Sequence, residues 1–227
     1  MKPYYQDDLV TLYHGDCLEI AEWLAADVLV TDPPFGIDRA QNGMQFSNGK
    51  RVTGRTVRNA VKGDSSPETR DAALTRWGAR PALVFGSWRI TRPADTRQRL
   101  IWHKANSSPG VTTAPWFGTD EEIYVLGRGF TGKPESNVYV THELRGGREG
   151  LSARTGHPTP KPIGLMEALI SHCPPGIVTD PFAGSGATLL AARNLGRRAV
   201  GVELEEKYCE LIAKRLAQQA FDLGEIA

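Results

Sequence analysis

The chain of 227 residues is 40% hydrophobic with a formal net charge of +1, which suits one α/β core and leaves too little chain for two large domains. No stretch approaches the roughly 20 uninterrupted apolar residues that span a bilayer, and MKPYYQDDLV lacks the charged-then-apolar layout of a signal peptide, so a cytoplasmic protein with no membrane partner is expected. Cys17, Cys173 and Cys209 are widely spaced without a Cys-x-x-Cys pair, and no histidine has a ligand-like partner spacing, which argues against a disulfide framework and predicts no metal site.

In chain order, Tyr13-His-Gly-Asp16-Cys17 comes first, with Asp16 a candidate N-cap for a helix over Leu18 to Ala25. The apolar run from Asp27 to Thr31 reads as a buried parallel strand that ends at Asp32-Pro33-Pro34-Phe35. Residues 39–63 contain Arg39, Lys50, Arg51, Arg55, Arg58 and Lys62, several glycines and no acid, and read as an irregular basic mobile loop. A further strand is expected at Pro81 to Phe85. Residues 127–156 are again glycine-rich and basic, and are expected to lack regular structure.

The C-terminal third is the most regular. Ile163, Met166, Ile170 and Cys173 recur at helical spacing after Pro162, which suits a first helical turn. A strand at Gly176 to Thr179 is followed by Asp180-Pro-Phe-Ala-Gly184-Ser-Gly186, and then by a helix from Ala187 to about Leu195 that Gly196 terminates. The strand Arg198 to Val202 ends at Glu203, and Leu204, Tyr208, Leu211, Ile212 and Leu216 form the apolar stripe of a last helix, read as core-facing. Short apolar runs alternating with helices predict a single α/β domain over residues 1–227, built on a doubly wound, mostly parallel sheet with large loops.

Two constellations carry chemistry. Gly184 and Gly186 let the backbone turn tightly between strand and helix, where a ligand can approach, and an acid at the next strand end, Glu203, can hold both hydroxyls of a ribose. The turn alone fits a nicotinamide dinucleotide or S-adenosylmethionine, although Leu189 stands where the dinucleotide fingerprint has its third glycine. At the other constellation, two prolines in succession make a stiff turn, so that Asp32 and the Pro33 carbonyl form paired acceptors. Paired acceptors held out of the plane of a base would favour a pyramidal exocyclic amine and free its lone pair for attack on a methyl group. Phe35 would stack on a base flipped out of the duplex.

Asp32-Pro-Pro-Phe35 resembles the catalytic motif, and Asp180-Pro-Phe-Ala-Gly-Ser-Gly186 the cofactor motif, of the bacterial and phage DNA amino-methyltransferases. Their order here is similar to the circularly permuted beta class. The resemblance implies a Rossmann-like methyltransferase fold with DNA-facing loops, S-adenosylmethionine as cofactor, double-stranded DNA as partner, and a homodimer in some relatives. It extends to His157-Pro-Thr159-Pro-Lys161-Pro162, similar to a segment near the methionine part of the cofactor, with Pro160 where the family has glutamine. It also reaches Gly15-Asp16-Cys17, whose aspartate would face the adenine, and weakly Trp102-His-Lys104 with Glu121-Glu-Ile-Tyr-Val125. The implied cofactor residues are Asp16, Cys17, Thr159, Lys161, Asp180, Phe182, Ala183, Gly184, Ser185, Gly186, Thr188 and Glu203. His157 is read as structural.

Carbon-5 cytosine methylation needs a cysteine nucleophile, usually in a Pro-Cys turn, and the chain has only the reverse order, Cys173-Pro174. N4-cytosine methylation shares the amine chemistry, but such enzymes often carry serine at the first catalytic position, so Asp32 favours N6 of adenine. An RNA or protein amide methyltransferase and an NAD-dependent oxidoreductase remain as alternatives. The basic residues of 39–63 are expected to contact DNA phosphates, and residues 106–155 to read the target sequence.

Overall fold

The computed structural model describes residues 1–34, 46–47, 50–51, 67–106, 115–143, 150–157 and 159–224. A nine-stranded sheet has the order β1-β2-β11-β10-β3-β6-β8-β7-β9. Its centre is parallel: β2 (Val10–His14), β11 (Ala199–Glu203), β10 (Val178–Asp180), β3 (Val28–Thr31) and β6 (Ala82–Gly86) run in one direction. All four residues of β3 and all five of β6 are buried, as expected for strands covered on both faces. Antiparallel strands complete the edges, with β1 (Tyr5–Gln6) on one side and β8 (Asp120–Leu126) and β7 (Gln98–Lys104) on the other, and β9 (Val138–Thr141) lies parallel to β7.

Two cores flank the sheet, which makes it doubly wound. On one face Val28, Val30, Leu83 and Phe85 pack against helices α3 (Ile163–Ser171), α4 (Ala187–Asn194) and α5 (Glu206–Gly224). On the other, Leu29, Ala82 and Val84 meet Trp23, Trp77 and Ala73, the last two from helix α1 (Glu68–Trp77). Trp23 and Trp77 stack with centroids 5.9 Å apart. Helix α1 carries Glu68 and Asp71 in its first turn and Arg76 in its last, the arrangement that complements the helix dipole.

Several expectations need correction. The helix expected at Leu18 to Ala25 is a 3-10 helix at Glu22–Ala25 only; Asp16 instead caps a separate turn, its Oδ1 accepting the Leu18 N–H at 2.8 Å. Residues 39–63 are not wholly irregular, because β4 (Phe46–Ser47) pairs antiparallel with β5 (Lys50–Arg51). The intervening Asn48-Gly49 is the dipeptide that favours two-residue hairpins. The stretch 127–156 likewise contains β9 and a short helix α2 (Leu151–Thr155), and the β-branched run Val138-Tyr-Val-Thr141 was its sign. Phe35, Arg39, Arg55, Arg58 and Lys62 lie outside the described residues, as do the side chains of Lys50 and Arg51. Among the described residues no helix is long and apolar enough to cross a membrane.

Candidate active site

The sheet order brings the two motifs together. Strand β3 pairs with β10 through Val178↔Val28 and Thr179↔Leu29, so the Asp32 turn and the Asp180 turn leave adjacent strands at the same carboxyl edge. The chain turns to opposite sides of the sheet there, a place where α/β folds open ligand crevices. A cleft of about 370 Å³ lies at this edge. Its wall includes Asp32, Pro33 and Pro34 from one turn and Asp180 to Ser185 from the other.

The cofactor turn is tied down by buried carboxylates. Asp180 accepts hydrogen bonds from the Thr31 hydroxyl at 2.6 Å, the Thr188 hydroxyl at 2.6 Å and the Phe182 N–H at 3.1 Å. The Thr31 bond joins residues 149 positions apart and fixes the residue before Asp32 to the cofactor turn. Burial pushes the Asp180 carboxyl up to about 6 despite these donors.

Glu203 ends β11 and accepts the Gly184 N–H on Oε2 and the Glu205 N–H on Oε1, both at 2.8 Å. Each oxygen is thereby oriented, and a carboxylate retains acceptor capacity for the two hydroxyls of a diol. Burial raises the Glu203 carboxyl to about 7, against the lowering effect of its two backbone donors.

The glycines serve packing more than ligand amide donation. The Gly184 N–H is committed to Glu203 and that of Gly186 to the Ala183 carbonyl. At Gly186, with φ +79°, a Cβ would stand 2.8 Å from Ile212 of α5, and at Gly184, with φ +53°, 3.2 Å from the His157 ring. A pyrophosphate cradle needs amides of this kind, so their internal use counts against a dinucleotide.

The catalytic turn is held by charge. The Lys161 ammonium, 5% exposed, pairs with Asp32 Oδ2. Lys161 also lies 3.3 Å from Glu121 of β8 and 4.9 Å from the centre of the Phe85 ring.

Every residue proposed for the cofactor lines the cleft except Gly186, which acts through its contact with α5. Of the catalytic set, Asp32, Pro33 and Pro34 line it. The sequence reading missed His157, Met166, Leu204, Glu205 and Tyr208, which line the cleft as well. Leu204 and Tyr208 were assigned to a core-facing stripe. Leu204 is instead 40% exposed, and Cys209, Ile212 and Leu216 make the buried face of α5. The signal lay in position: Leu204 directly follows the strand-end acid. His157 packs edge-on against Tyr208 at 4.7 Å, and burial, with Lys161 and Lys207 nearby, lowers its pKa to about 4, so it is neutral near pH 7.

The residues present fit an adenosyl cofactor. Glu203 suits a ribose, and Phe182 and Leu204 offer apolar surface to a purine within a cleft of small-molecule size. This is the architecture of a nucleoside-binding α/β transferase. The chain matches the model of the family described as DNA methylase over residues 92–215, and it belongs to that family: it is a DNA methyltransferase. It is 26% identical to Type II methyltransferase M.ScaI of Streptomyces caespitosus over 98% of this chain and 86% of that protein. Its fold is similar to that in the crystal structure of an M1.HpyAVI-SAM complex, with a TM-score of 0.63, 24% identity, and 92% and 99% of the two chains covered. It is also similar to the PvuII DNA methyltransferase (cytosine-N4-specific), with a TM-score of 0.61, 16% identity, and 93% and 88% covered.

Proposed function

We propose that the protein methylates the exocyclic N6 amine of adenine in double-stranded DNA, with S-adenosylmethionine as the methyl donor. The observation that carries this reading is the placement of the Asp32 carboxylate in the wall of the cleft that also holds the Gly184 turn and Glu203. When bound, S-adenosylmethionine supplies an electrophilic methyl group on a sulfonium. Glu203 accepts the ribose hydroxyls, Phe182 and Leu204 flank the purine, and Asp16 faces its edge. Asp32 and the Pro33 carbonyl accept the two N–H groups of the target amine, and Asp32 is the base to which the amine gives up its proton. The stiff Pro33-Pro34 backbone holds the two acceptors in fixed relation. Phe35 stacks on the flipped base, because the amine cannot reach such a cleft from within the duplex.

An aspartate at position 32 supports adenine over cytosine, since similar N4-cytosine enzymes often have serine there. The basic residues from Arg39 to Lys62 follow the catalytic turn closely enough in the chain to reach phosphates beside a flipped base, and residues 106–155 read the sequence. Similarity to a type II methyltransferase supports a site-specific modification role in the cytoplasm. The test is digestion of methylated DNA to nucleosides and mass spectrometry of the product. N6-methyladenine is expected. N4-methylcytosine, or methyl transfer confined to RNA, would overturn the reading.

A further inference from the structure

Lys161 holds Asp32, but its own position is set by strand β8 as well. Glu121 Oε2 lies 3.3 Å from the Lys161 ammonium, and Glu121 Oε1 lies 2.5 Å from that of Lys104. Asp32, Lys161, Glu121 and Lys104 therefore form a row of alternating charge. It runs from the cleft into the body of the protein, with side-chain exposures of 22%, 5%, 8% and 11%. The Trp102 ring borders both cations, its centre 5.8 Å from Lys161 and 4.8 Å from Lys104, and its Nε1 donates to Thr141 Oγ1 at 2.8 Å. Lys104 and Trp102 come from β7, Glu121 from β8 and Lys161 from the segment before α3, so β7, β8 and the α3 approach meet at one ammonium.

We infer that Glu121, held by Lys104, is a positioning residue for catalysis: it divides the charge of Lys161 between two carboxylates and so sets how firmly Lys161 grips Asp32. This inference rests on the catalytic reading of Asp32. A buried ammonium facing a single carboxylate attenuates its charge and makes it a weaker acceptor toward other donors, even though the second oxygen keeps its lone pairs. A second carboxylate on the same ammonium weakens that grip, so that Asp32 keeps negative charge for the target amine. Lys104 offsets the charge that Glu121 brings, which keeps the row neutral and tolerable in a poorly solvated place.

The experiment measures methyl transfer to unmethylated plasmid DNA from labelled S-adenosylmethionine, together with cofactor affinity and melting temperature. Glu121→Gln is expected to lower the melting temperature, because it removes the carboxylate that two buried ammoniums share, and to lower kcat per folded protein about tenfold or more while cofactor affinity stays within about twofold. In a Lys161→Met background the same substitution should cost less than about twofold, because residues acting as a unit are non-additive. Lys104→Met takes one ammonium from the Glu121 carboxylate, leaving more of its charge to Lys161, and loosens the grip on Asp32 further, so kcat per folded protein should stay level or rise, and a fall would overturn the inference. It decides the matter if Lys161→Met does not fold. An unchanged kcat in Glu121→Gln, an equal loss in both backgrounds, or a loss matched by the fall in folded protein would overturn the inference. Asp32→Asn separates the two levels of the argument. If it stays active, the reading of Asp32 fails; if it is inactive while Glu121→Gln is normal, only the positioning role fails.

Discussion

The two turns that make the site are built by different physics. The cofactor turn, Asp180 to Gly186, is fixed by hydrogen bonds to two buried carboxylates, most from the same stretch of chain: Phe182 and Thr188 to Asp180, and Gly184 and Glu205 to Glu203, with Thr31 a remote donor to Asp180. The catalytic turn, Asp32 to Pro34, depends on partners remote in sequence, since Lys161 is 129 positions from Asp32 and Glu121 and Lys104 lie on other strands. Buried carboxylates held by hydroxyls and amides make a rigid template, and burial shields its geometry from salt. A row of charges holds position as well, and it also sets the electrostatic character of the group at its end. The first design fixes a shape, and the second fixes a charge as well.

Asp32→Asn tests the catalytic side most directly. It keeps the shape of the turn and removes the charge, and should reduce kcat about a hundredfold or more, from a loss of about 3 kcal/mol or more of transition-state stabilisation, with cofactor affinity little changed. Steady-state kinetics that retain a tenth of the activity would sink the distinction between the turns. On the cofactor side, Gly186→Ala forces a methyl group against Ile212 at a left-handed φ, and should cost about 2 kcal/mol of stability in chemical denaturation. Stability equal to the parent protein would show that the turn is not the template described.

A third test concerns the basic segment beyond the catalytic turn. Replacing Arg51, Arg55 and Arg58 together by Ala should flatten the slope of log affinity against log salt by about 2 to 3 units and weaken binding alike on all sequences. An unchanged slope would remove the phosphate contacts.

The smallest expected effect concerns Glu203. Its carboxyl sits at about 7 in the ligand-free protein because burial disfavours the anion. Hydroxyl donors of a ribose prefer the anion, so cofactor affinity should fall as pH drops through that value, by about tenfold between about pH 8 and about pH 6. Glu203→Gln should bind more weakly and lose this component of the pH dependence. Parallel pH profiles for the two proteins in calorimetry would take the ribose away from Glu203.

What could be read from the sequence follows the same division. The strand, glycine turn and helix of residues 176–195 lie in one continuous stretch, and local rules of chain stiffness and apolar spacing sufficed to place them. Asp32-Pro33-Pro34 was legible for the same reason. Glu121 and Lys104 carried only a faint signal, because nothing in a strand reading Asp-Glu-Glu-Ile says which partner will face it across the sheet. Leu204 and Tyr208 were misassigned because helical periodicity reports a stripe, and the edge of a stripe can line a cleft. Strands β4 and β5 left little trace in the sequence because two residues each are too few to show an alternating pattern within a basic stretch.

The pairing of β10 with both β3 and β11 also sets a schedule for making the enzyme. Strands β10 and β11 follow the other strands of the sheet in the chain, and until they are made the β1-β2 pair is not joined to β3 and β6. Contacts of such long range close slowly, and they close only once the residues up to Glu203 are available. A nascent chain that has not reached Glu203 therefore lacks one wall of the cleft, and activity begins as a property of the closed sheet.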